Sequence, residues 1–254
     1  MTKIIGHRGC SAAPGNTLES FRAALELGAD GIELDVQLSR DGQVVVIHDT
    51  HLEDMTDGHG MVFDHDYAEL AKLNASVVKP DYAQRTRIPL LAEVLELVAE
   101  FPDAEVNVEL KPAEKIEPDY EERVLTVVAD SGISERCYYS SFNHYCLRTI
   151  RTLNSQAQIF PLYMSGLIDP WEYVDRIDAH GAHPNFLSIV FADKLQPGLD
   201  AISEFHARGQ KVRPWTVNDE RAMTFLIARG ADAIITDEPA AGLTIRTSMQ
   251  EATK

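Results

Sequence analysis

The chain has 254 residues, 44% of them apolar, and a formal charge of −17 at neutral pH. That length suits one large α/β barrel or two small domains, and the acidic balance argues against nucleic acid or anionic membrane surfaces as partners. Cys10, Cys137 and Cys146 lack metal-ligand spacing and read as reduced thiols. No apolar run approaches the ~20 residues that span a bilayer, and no signal-peptide pattern precedes Gly6. The expectation is a cytoplasmic protein with no stable membrane association.

Taken in chain order, short β-rich runs alternate with amphipathic ones. Strands are predicted at 3–7, 31–36, 105–111, 137–142, 158–163, 186–191, 211–217 and 233–237. Helices are predicted at 17–27, 91–101, 120–131, 144–153, 170–180, 198–208, 220–229 and 240–247. Strict alternation predicts a parallel (β/α)8 TIM barrel in one domain spanning 1–254, and no dinucleotide glycine fingerprint supports an open doubly wound sheet instead. Asn16-Thr17-Leu18-Glu19 reads as a capping box with Asn16 as the cap. The link from Gln37 to Pro89 is far longer than the typical ~2–6 residues, so an insertion is expected at about 37–89, between strand 2 and helix 2. It opens with a hairpin turn at Asp41-Gly42 and a returning strand, 44–47, that delivers His48 and Asp49.

The chemistry gathers at predicted strand ends, where a barrel of this kind builds its site. In Gly31-Ile32-Glu33-Leu34-Asp35-Val36 the strand period of two puts both carboxylates on one face. Glu109 stands in a similar run, Asn107-Val108-Glu109-Leu110-Lys111. Acids are disfavoured in strands and expensive to bury unpaired, and three together should not all ionise unaided. A hard divalent cation on Glu33, Asp35 and Glu109 resolves this, and oxygen ligation favours Mg²⁺, Ca²⁺ or Mn²⁺. Arg8 and Lys111 add positive charge suited to phosphate, and Trp215 is expected as a substrate-facing wall. His7 and His48 form an acid and base pair. Metal, basic residues and two histidines fit phosphoryl-ester hydrolysis better than a sugar isomerase or a catalytically silent binding barrel.

These residues resemble the glycerophosphodiester phosphodiesterases. The resemblance rests on Gly6-His7-Arg8-Gly9, Pro14-Gly15-Asn16-Thr17, Glu33-Leu34-Asp35-Val36 with Asp41-Gly42 and His48-Asp49, Asn107-Val108-Glu109-Leu110-Lys111, Trp215-Thr216-Val217-Asn218 and Thr236-Asp237-Glu238-Pro239. It implies a barrel hydrolase of lipid and glycerol metabolism. Such an enzyme converts small-molecule glycerophosphodiesters to sn-glycerol 3-phosphate and an alcohol, with a divalent cation on Glu33, Asp35 and Glu109 and catalysis by His7 and His48. Two departures bear on substrate preference: Gly15 replaces the family's glutamate, and Leu52-Glu53-Asp54-Met55-Thr56 replaces an arginine with paired threonines. A lysophospholipase D on the same scaffold would use an apolar platform, for which Met61, Phe63 and Tyr67 are candidates.

Overall fold

The computed structural model describes residues 1–111, 118–195 and 198–252; the last two residues of the expected 1–254 span lie outside them. Nine strands form: β1 Lys3–His7, β2 Gly31–Leu38, β3 Val44–Val46, β4 Glu105–Leu110, β5 Cys137–Ser141, β6 Ile159–Tyr163, β7 Gly181–Pro184, β8 Lys211–Val212 and β9 Ala233–Thr236. Eight are parallel in the order β8-β7-β6-β5-β4-β2-β1-β9, and β3 returns antiparallel on β2. The ends of that order meet through Ile235 N–H to Pro214 O and Val217 N–H to Ile235 O, both 2.9 Å, so the sheet curls nearly closed into the expected barrel. One face of the staves carries Ile32, Leu34, Val36, Val106, Val108 and Leu110 outward, where they pack with the helices in one apolar layer. The other face points into the barrel, and the register sets Glu33 beside Asn107 and Asp35 beside Glu109 there.

The helices are α1 Leu18–Glu26, α2 Tyr67–Leu70, α3 Leu91–Ala99, α4 Tyr120–Asp130, α5 His144–Leu153, α6 Pro170–Arg176, α7 Phe186–Leu195, α8 Ala201–Ala207, α9 Glu220–Ala228 and α10 Pro239–Glu251. Two joints repeat one device. Gly28 and Gly230 adopt φ of +93° and +78° after α1 and α9. The aspartate two residues on then accepts from the start of a neighbouring strand: Asp30 from Ile4 N–H at 2.7 Å and Asp232 from Val212 N–H at 2.8 Å.

The seventh stave is displaced from its expected position. The run 186–191 is the first part of α7, not a strand, and the stave is β7, Gly-Ala-His-Pro. Glycine, alanine and proline are depleted in strands, whereas Phe-Leu-Ser-Ile-Val-Phe carries strong β propensity. Tertiary packing overrides both preferences. A Cβ at Gly181 would stand 2.0 Å from Lys211 O, so only glycine lets β7 lie this close to β8. At the following turn Asn185 Oδ1 accepts from Leu187 N–H at 3.0 Å and starts the helix. The expected strand 211–217 is regular only over β8, because Pro214 has no N–H to offer a ladder.

The insertion forms as expected at its base: β2 and β3 pair from Val36 with Val46 to Leu38 with Val44, around a turn in which Gly42 has φ +76°. Val45 and Ile47 of the returning segment pack with Leu52, Val62, Leu70 and Ile88 of the insertion in a small core. Met61, Phe63 and Tyr67 are half-buried there, and Tyr67 packs against that core.

Candidate active site

The site begins at the end of β1. Arg8 adopts φ +52°, its N–H donates to Glu33 Oε2 at 3.0 Å, and Ser20 Oγ donates to its carbonyl at 2.9 Å. Gly9 is pressed onto α1 so closely that a Cβ would fall 2.2 Å from Ser20 Oγ. This sharp turn aims His7 and Arg8 across the barrel mouth. Asn16 is not the cap of α1; Thr17 is, its Oγ1 accepting from Ser20 N–H at 3.3 Å. Asn16 takes φ +60° one residue earlier, which frees its amide to clamp Asp35. Its Nδ2 donates to Asp35 Oδ2 at 2.7 Å and its Oδ1 accepts from Asp35 N–H at 3.2 Å.

Glu33, Asp35 and Glu109 are buried and present one oxygen each, all within 4.8 Å of one another. Lys111 Nζ lies 2.9 Å from Asp35 Oδ1 and 2.5 Å from Glu109 Oε1, and Arg8 Nε lies 3.2 Å from Asp35 Oδ2. Glu33 Oε1 is buried with no hydrogen-bond partner. Burial, with the Asp35 and Glu109 charges behind it, pushes the Glu33 carboxyl well above the usual range. Burial and the Asp35 charge push Glu109 up to about 7. Burial opposes ionisation of Asp35 too, yet Lys111 and Arg8 hold it below its ordinary value. Two of three carboxylates are therefore left seeking positive charge. With all-oxygen donors and an orphaned Glu33 oxygen, the cluster fits a hard divalent cation.

Two histidines border this cluster. His7 Nδ1 is 2.7 Å from Asp237 Oδ1, and its Nε2 is 4.0 Å from Glu33 Oε2. Asp237 is itself held: Asn218 Nδ2 donates to its Oδ2 at 2.6 Å and Asn218 Oδ1 accepts its backbone N–H at 2.9 Å. His48, delivered by the hairpin after β3, has Nδ1 2.9 Å from Asp49 Oδ1. Gln37 Nε2 steadies the peptide, donating to His48 O at 3.0 Å. Burial lowers the His48 pKa, aided by Lys111 and Arg8 and opposed by Asp35.

The structure thus brings His7, Arg8, Glu33, Asp35, Glu109 and Lys111 together, with His48 close enough to feel the Asp35 charge. Arg8 and Lys111, expected to face phosphate, are engaged with the acids. Trp215 stands apart on the β8 side, its Nε1 donating to His183 O at 2.7 Å and its ring edge-on to Phe142. The anchoring roles of Asn16 and Asn218 were not foreseen. Asn16 lies in a motif already singled out but read as a cap, and Asn218 acts through the residue that follows β9. His51, His59 and His65 of the insertion join no group of potential metal ligands among the described residues.

Fold and site define a (β/α)8 barrel with an acidic, histidine-flanked centre at the C-terminal ends of its strands. The model of the glycerophosphoryl diester phosphodiesterase family matches residues 7–241. The chain is 40% identical over 239 residues to a glycerophosphodiester phosphodiesterase of Caldanaerobacter subterraneus, covering 94% of this chain and 95% of that one. It is 38% identical over 251 residues to one from Bacillus altitudinis, covering 98% and 100%. Among solved structures, an Oleispira antarctica phosphodiesterase in complex with the product sn-glycerol-3-phosphate superposes with a TM-score of 0.86 at 31% identity, covering 96% of each chain. The chain belongs to the glycerophosphoryl diester phosphodiesterase family.

Proposed function

We propose that the protein hydrolyses small-molecule glycerophosphodiesters to sn-glycerol 3-phosphate and an alcohol, with a divalent cation bound by Glu33, Asp35 and Glu109. The observation that carries this is the buried acidic triad at the strand ends with an unpartnered Glu33 oxygen, bordered by His7 and His48. The relatives' activities and the product held by the Oleispira antarctica structure support the substrate class. Mg²⁺, Ca²⁺ and Mn²⁺ all suit the donor set. Bound there, the cation supplies charge that offsets the phosphate anion and its developing negative charge.

The histidines handle protons. With Asp237 and Asp49 at their Nδ1 atoms, both imidazoles have Nε2 free for the reaction. One takes a proton from the attacking hydroxyl and the other gives a proton to the departing alkoxide. Arg8 and Lys111 keep Asp35 ionised and add positive charge beside the phosphate. Trp215 walls the site on the β8 side.

The test is phosphorus NMR of a panel of glycerophosphodiesters with and without chelator. Production of glycerol 3-phosphate, lost on chelation and restored by added Mg²⁺, Ca²⁺ or Mn²⁺, is expected. Turnover undiminished in metal-stripped protein overturns the metal assignment. His7→Ala and His48→Ala should each lose at least about 10²-fold in rate. A nitrophenyl leaving group needs little protonation and should rescue only the variant that lacks the acid; equal rescue of both overturns the division of roles.

A further inference from the structure

Along β2 the side chains of Glu33, Asp35 and Gln37 alternate onto one face. The first two belong to the acidic cluster, and the third is an amide that is only 3% exposed. β3 runs antiparallel beside this strand, with Gln37 opposite Val45 and Val36 opposite Val46. One step further along, Ile47 N–H donates to Asp35 O at 2.9 Å. A regular antiparallel pair would return a bond from Asp35 N–H to Ile47 O. That N–H goes instead to Asn16 Oδ1, at 3.2 Å, as part of the clamp on Asp35.

The ladder therefore stops with Ile47 O and, beyond it, His48 O in need of donors. Gln37 supplies both. Its Nε2 donates to Ile47 O at 3.3 Å and to His48 O at 3.0 Å, and an amide nitrogen has a hydrogen for each. These carbonyls belong to the two peptide groups that flank the His48 α-carbon. The backbone carrying His48 is thus fastened to the strand that carries Glu33 and Asp35. Asp49, the other partner of His48, follows it in the chain and meets its ring at Nδ1, 2.9 Å away. That contact directs the imidazole but does not fix where the backbone lies. An amide also does the work without charge, so the balance of Arg8 and Lys111 against Asp35 is undisturbed.

We propose that Gln37 is a positioning residue for the phosphodiester reaction, holding His48 at a fixed place relative to the acidic centre through these two carbonyls. The inference rests on the reading of His48 as a proton-transfer group. Proton transfer demands close placement, and a displacement of about 1 Å can cost about 10²-fold in rate. Among the described residues Gln37 makes no hydrogen bond to Glu33, Asp35 or Glu109. Loss of its amide therefore displaces His48 and leaves the cation site intact.

The test is Gln37→Met in the full chain, which keeps the bulk of the side chain and removes the donor. Turnover of glycerophosphocholine with Mg²⁺ is measured per folded site, with sites counted by calorimetric titration of Mg²⁺. kcat should fall by about 10²-fold, while KM and Mg²⁺ affinity stay near those of the wild type. Nitrogen NMR should show the His48 ring signals shifted and those of His7 unmoved. The double variant Gln37→Met/His48→Ala should be no slower than His48→Ala alone, because residues that act as a unit do not lose rate additively. Where Gln37→Met does not fold, Gln37→Asn, whose amide is too short to span both carbonyls, is carried through the same measurements. An unchanged kcat overturns the proposal. So do additive losses in the double variant, or a fall in Mg²⁺ affinity that accounts for the lost rate. Wild-type turnover in His48→Ala overturns the reading of His48 and the proposal with it, whereas an inactive His48→Ala beside a fully active Gln37→Met overturns the proposal alone.

Discussion

Asp35 shows how much a single side chain depends on its neighbours. Buried among other acids, it stays ionised only because Lys111 and Arg8 face it, and Asn16 fixes its orientation through two hydrogen bonds. Residues that orient a metal ligand commonly affect affinity by about 10–100-fold. Asn16→Ala is therefore expected to weaken divalent cation binding on that scale, read by calorimetric titration; unchanged affinity would show that Lys111 and Arg8 alone suffice. His7 depends on a neighbouring side chain in the same way. With Asp237 accepting at Nδ1, the Nδ1–H tautomer is favoured and Nε2 keeps its lone pair toward the acids. Asp237→Asn replaces the carboxylate acceptor at Nδ1 with an amide and permits the opposite tautomer. We expect kcat to fall by about 10²-fold or more with little change in KM, and nitrogen NMR of His7 to report loss of the Nδ1–H form. A variant with normal kcat and an unaltered spectrum would leave Asp237 as a mere surface partner.

Among elements, the hairpin and the insertion behind it divide two tasks. β3 belongs to the barrel by its ladder to β2 and holds His48 in place, while the residues beyond pack on a core they share with Val45 and Ile47 of that hairpin. Because the acidic triad stands on β2 and β4, exchanging 50–87 for a short linker is expected to change selectivity across diester head groups but keep metal binding. Collapse of metal affinity in a folded variant would mean that the insertion supports the site itself. β7 carries a different lesson. Its four residues have no strand signature, yet they are buried between β6 and β8, and the register through His183 fixes where α7 and its exposed face begin.

On the scale of the whole molecule, the proposed metal binding is expected to depend on pH through the acidic cluster. Glu109 has an ordinary value of 4.5 and is raised to about 7 in the fold, and Glu33 shifts in the same direction. A carboxyl raised in this way contributes stability that is fully present below its unfolded pKa and lost as pH rises through the folded one. Metal-free protein should therefore lose stability from about pH 4.5 to above pH 7, with the cation restoring it as protons leave. The difference in Tm between Mg²⁺-loaded and chelated protein is expected to grow across that window. A difference independent of pH would show that the carboxylates bind no protons in the metal-free state.

What the amino-acid order determined by itself was local and periodic: alternating elements, two carboxylates on one strand face, a hairpin that ends at His48. Those features follow from the period of two in a strand and from turn chemistry, which neighbouring residues decide. Only the tertiary structure decided the rest. His7 meets Asp237 across 230 positions, and Lys111 is shared between acids of β2 and β4. Asn16 serves Asp35 rather than α1, and the seventh stave forms from residues with little strand propensity. Each of these depends on closing a barrel. Closure brings distant strand ends to one mouth, and the burial and charge found there exist only once all the staves are in place.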